Sequence, residues 1–68
     1  MNYAEKVKHY LRTYEGIDVD SLHSHPDPDI RAVYRPIMRA ISEGCKWCAP
    51  YRDTAREIVR MVDGALFD

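Results

Sequence analysis

The chain has 68 residues, with 10 Lys+Arg against 11 Asp+Glu, a formal net charge of −1 and 46% hydrophobic residues. That balance excludes a disordered polyelectrolyte and argues against a general nucleic-acid binder, which is usually basic; no uncharged apolar run is long enough for a membrane-spanning helix. The length fits one small helical domain over 1–68, whose limited core often needs a metal, a staple or a partner.

Two cysteines are too few for a secreted disulfide framework, so the expected compartment is a reducing cytoplasm. The opening stretch Met1–Arg12 alternates charged with apolar residues and does not read as a signal peptide.

Three stretches carry helical periodicity. In the first, Asn2 and Glu5 have the spacing of a capping box. Tyr3, Val7, Tyr10, Leu11 and Tyr14 then share one face, and Gly16 is a natural stop. The connection from Ile17 to Pro26 is long and has no clean period. Its Ile17, Val19 and Leu22 are expected to pin it to the core, with room for a single helical turn.

The second helix has the clearest start. Asp27 reads as N-cap, Pro28 suits the first helical position, and Asp29 suits the dipole. Its apolar stripe is Ile30, Val33, Tyr34, Ile37, Met38 and Ile41, with Gly44 as the expected end. Pro36 lies inside and is expected to kink it, because proline lacks the backbone donor and crowds the preceding turn.

Cys45 to Cys48 read as the next connection, with Trp47 as a plug for the core. Pro50 starts the third helix, which buries Tyr51, Ala55, Ile58, Val59 and Val62. Gly64 is its expected stop, with Ala65, Leu66 and Phe67 tucking back. No stretch alternates as a strand. The fold class is therefore all-α: a compact three-helix bundle with a long first connection and a kinked second helix.

Four residues have the chemistry of a zinc set: His23, His25, Cys45 and Cys48. The difficulty is geometric, since the histidines precede helix two and the cysteines follow it. A continuous helix of about 16 residues spans about 24 Å, far beyond the reach of one metal. Such a site requires a break at Pro36 or ligands shared between two chains. The Cys45–Cys48 spacing also resembles a thiol-redox motif leading into a helix, although the strands and length of a thioredoxin-like protein are missing. His25-Pro26-Asp27 resembles the tripeptide of J-domain co-chaperones, but the likeness ends at those residues and Asp27 is accounted for as a cap.

The arginines are the least ordinary feature. Arg31, Arg35 and Arg39 fall at every fourth position of helix two, and Arg52, Arg56 and Arg60 do so on helix three. Together with Tyr34 and Tyr51 they suggest a face for an acidic surface of another protein, since Tyr and Arg are enriched at binding hot spots. Pairing of those heads to Asp29, Glu43, Asp53 or Glu57 is the plainer alternative. No glycine-rich phosphate loop or nucleophile elbow occurs, and Asp20, Ser21 and His23 are neighbours only along the chain.

The functional expectation is a non-enzymatic regulator or adaptor, with a homodimer also considered. Zinc binding through the four residues above is the first alternative. The second is DNA binding, with helices two and three as a helix-turn-helix; the acidic residues of helix three and the 44–49 connection, longer than the usual turn, oppose it.

Overall fold

A computed structural model describes residues 1–67, with side chains through Ala65. The described residues form helices and no strands: α1 (Tyr3–Tyr10), a π-helical turn (Leu11–Glu15), α2 (Val19–Leu22), α3 (Pro28–Lys46) and α4 (Tyr51–Phe67). The fold is thus all-helical, with four α-helices where three were expected. The added one is a four-residue helix inside the first connection.

The helix starts follow their local chemistry. Asn2 Oδ1 accepts the Glu5 backbone N–H at 2.9 Å. Asp27 Oδ1 accepts the Asp29 N–H at 2.9 Å, and Pro28 occupies the first helical position. Gly16 ends the first helical stretch in the left-handed conformation, with φ of 67°. Its N–H and that of Ile17 both reach the Leu11 carbonyl, which widens the last turn into π geometry. A wider turn holds more residues, so Tyr14 lags behind the stripe that holds Val7 and Leu11. It is 70% exposed rather than buried.

The other two glycines do not stop helices. α3 runs through Gly44 to Lys46, and α4 runs through Gly64 to Phe67. A terminal segment tucking back is therefore not seen in the backbone, and the side chains of Leu66 and Phe67 lie outside those described. Gly44 serves a different need. A Cβ there would stand 2.6 Å from Thr54 Oγ1 and 2.7 Å from Tyr3 Oη. Those two hydroxyls share a 2.6 Å hydrogen bond across the glycine, so α1, α3 and α4 meet where α3 has no side chain.

α3 ends in a Schellman closure. Ala49 N–H donates to the Gly44 carbonyl at 2.9 Å and Cys48 N–H to the Cys45 carbonyl at 3.3 Å. Cys48 occupies the position that usually holds glycine, with φ of 52°. Trp47 stands just before it with nothing packed above. It is 76% exposed, which removes it from the core.

α3 is a continuous helix of 19 residues through Pro36, about 28 Å long. It packs antiparallel to α4: Gly44 lies against Thr54 beside the turn, while Asp29, Val33 and Pro36 line a groove with Met61 and Ala65 at the far end. The core is Val7, Leu11, Val19, Leu22, Ile30, Ile37, Ile41, Ala55, Ile58 and Val62. Val19 and Leu22 pin the first connection as expected. Among the described residues the one buried polar side chain, Thr54, is satisfied by Tyr3.

Candidate functional site

Both histidines are taken up locally. The His23 ring stands edge-on to Tyr34, with centroids 5.4 Å apart. His25 Nδ1 accepts the Asp27 N–H at 3.0 Å, which helps to cap α3. Cys45 and Cys48 are exposed free thiols at the opposite end of α3. The unbroken helix keeps the two pairs apart, and no group of three or more His, Cys, Asp or Glu residues gathers for a metal among the described residues. The structure does not bring His23, His25, Cys45 and Cys48 together within one chain.

The six arginines of α3 and α4 are all exposed, and they have different neighbours. Arg31 donates from Nη1 to the His25 carbonyl at 2.9 Å and so clamps the loop before α3. Arg35 and Arg39 are exposed further along the same helix. Arg56 and Arg60 share a shallow depression of about 270 Å³ with Asp53 and Glu57. Among the described residues, none of these arginines comes within ion-pair distance of a carboxylate. The pairs expected with Asp29, Glu43, Asp53 and Glu57 are therefore not made.

Arg52 is placed differently. Its guanidinium carbon lies 6.0 Å over the Tyr51 ring, which puts the cation on an aromatic face. The Tyr51 side chain beside it, through hydrogen bonding first and charge second, raises the Arg52 pKa above its ordinary value. Tyr51 meets Tyr10 edge-on at 6.1 Å, and Tyr10 meets Tyr14 at 4.9 Å. Met1, Lys6 and His9 complete an open hollow of about 360 Å³ around these tyrosines.

The ring cluster is built by two elements. α1 crosses the start of α4, which sets Tyr10 against Tyr51. The π turn then swings Tyr14 outward against Tyr10. Tyr51 and Arg52 belong to the face that the sequence suggested, whereas Tyr34 lies elsewhere against His23. Tyr10, Tyr14, Lys6 and His9 were not among the site residues that the sequence suggested. Their spacing marks Tyr10 and Tyr14 as core positions; Tyr10 does pack partly buried against the core, whereas Tyr14, in the widened turn, is 70% exposed.

Chemically, the cluster offers flat apolar faces, phenol hydroxyls and cations, with no carboxylate lining the hollow. It holds no nucleophile activated by an adjacent base. The connection between α3 and α4 is shorter than expected, at residues 47–50. The two helices nevertheless meet at both ends as an antiparallel hairpin, whereas a helix-turn-helix crosses at about 90–120°. No helix among the described residues is long and apolar enough to cross a membrane. Compared with known proteins, the chain matches no family model, no curated protein and no solved structure, so its function is read from its own residues.

Proposed function

We propose that the protein is a non-enzymatic binding module, a regulator or adaptor, that holds an acidic segment of another protein on Tyr10, Tyr14, Tyr51 and Arg52. The observation that supports this is the linked tyrosine trio with, on its edge, an arginine that meets no carboxylate among the described residues, left open beside Lys6 and His9. Such rings present a large contact area that loses little side-chain entropy on binding. An arginine with no internal carboxylate is free to make a bidentate contact with one from outside. The sign of the groups selects an acidic partner over a basic one.

Affinity capture with three forms of the chain tests the reading. The partner binds the unmodified chain, is lost with Tyr14→Ser combined with Arg52→Ser, and is kept with Arg35→Ser combined with Arg39→Ser. The reverse pattern moves the binding face to α3 and overturns the assignment. Helicity by circular dichroism stays unchanged in both variants, because all four side chains are exposed.

A further inference from the structure

The last residues of α3 and the turn after it carry groups that the tyrosine face does not use. Cys45 and Cys48 are both free and exposed, and the hydrogen bond from Cys48 N–H to the Cys45 carbonyl holds their backbones in one tight turn. Trp47 lies between them in sequence at 76% exposure, although an indole is among the costliest side chains to leave in water. Lys46 Nζ stands 5.8 Å from the Trp47 ring centroid.

Two thiols in one turn form half of a structural zinc site. Zinc in such sites is tetrahedral and takes four protein donors, with thiolates preferred. Among the described residues no third His, Cys, Asp or Glu joins the pair, and His23 and His25 are engaged at the other end of α3. An identical turn from a second copy supplies what is missing, and a two-fold axis through the metal closes the arrangement.

We propose that Cys45 and Cys48 bind zinc together with the same pair of a second copy, with one zinc for two chains. Four S–H groups lose their protons to solvent as four Zn–S bonds form, with no change in oxidation state. The resulting centre carries a net charge of about −2, which the Lys46 ammonium of each copy offsets. The same contact covers both Trp47 rings. Because the ligands must be deprotonated, the assembly weakens as pH falls.

The test uses the full chain, reduced and stripped of metal, titrated with zinc chloride and followed by native mass spectrometry and sedimentation. The expected result is a dimer with one zinc per two chains, a blue shift of Trp47 emission, and thiolate-to-cobalt charge transfer when cobalt replaces zinc. Cys48→Gly is the key variant, because glycine suits the left-handed position and leaves the fold intact. It is expected to stay monomeric and metal-free. No zinc uptake, one zinc on a monomer, a dimer linked only by disulfide, or uptake that persists in Cys48→Gly each overturns the proposal. Tyr14→Ser with Arg52→Ser leaves the zinc dimer unchanged, which separates this site from the tyrosine face.

Discussion

At the end of the hairpin that holds Gly16 and α2, polar groups are used inside the chain. Lys8 Nζ reaches Asp20 at 2.8 Å, Arg31 clamps the His25 carbonyl, and His25 and Asp27 cap α3 in series. At the turn end, groups able to bind are left outward. Arg52 rests on a ring, Trp47 is exposed, and both thiols are free. Arginine occurs at both ends, so that residue type alone does not mark a binding site. What separates them is whether the fold has already satisfied those groups.

Three changes break or sharpen that contrast, beginning with the largest. Leu11 is wholly buried where α1 passes into the π turn that joins the two ends. Leu11→Ala is expected to lose about 2–5 kcal/mol, through lost transfer energy and the cavity left behind. Urea denaturation reads this as a lower midpoint, and a loss below about 1 kcal/mol contradicts the burial.

Gly44→Ala is next and tests the turn end. On an open helix this change gains about 1 kcal/mol. Here the new methyl meets Thr54 Oγ1 and Tyr3 Oη, so a net loss of about 1–2 kcal/mol is expected from overpacking. Stabilisation by Gly44→Ala would show that the three-helix crossing is not closed.

The smallest effect is at the opposite end. Lys8 donates a hydrogen bond to Asp20 and lowers the Asp20 pKa below its ordinary value. A carboxyl with a depressed folded pKa adds stability at neutral pH, and that contribution is lost as pH falls through the folded value. The side chains are 22% and 56% exposed, so solvent screening limits the pair to about 0.5 kcal/mol. Thermal melts should show Lys8→Met slightly less stable at neutral pH and equal to the unmodified chain near pH ~2. A difference that persists in acid assigns the effect to the lysine stem rather than its charge.

Much of the fold was legible in the sequence. Asn2, Asp27 and Pro28 act within a single turn, where local chemistry decides, and each appears where its type implies. The stripes of α3 and α4 were readable because burial repeats with the helix. Gly16 and Gly44 look alike in one dimension, yet one supplies a positive φ and the other the absence of a Cβ. Only packing distinguishes these uses. Trp47 was misplaced because apolar character implies burial only where some element lies overhead, and at the end of α3 none does. The tyrosine cluster was the least readable, since it depends on a widened turn and a helix crossing that no spacing rule encodes.

The contact over Gly44 also bears on the order in which the chain assembles. Tyr3 and Thr54 are 51 residues apart, whereas α3 and α4 are joined by a short turn. Closing the shorter loop costs less chain entropy, so the hairpin forms first and presents a notch with no side chain in it. α1 is then the last piece to be seated, with Tyr3 as its latch. Loss of that latch shortens the lifetime of the native state far more than it slows its formation.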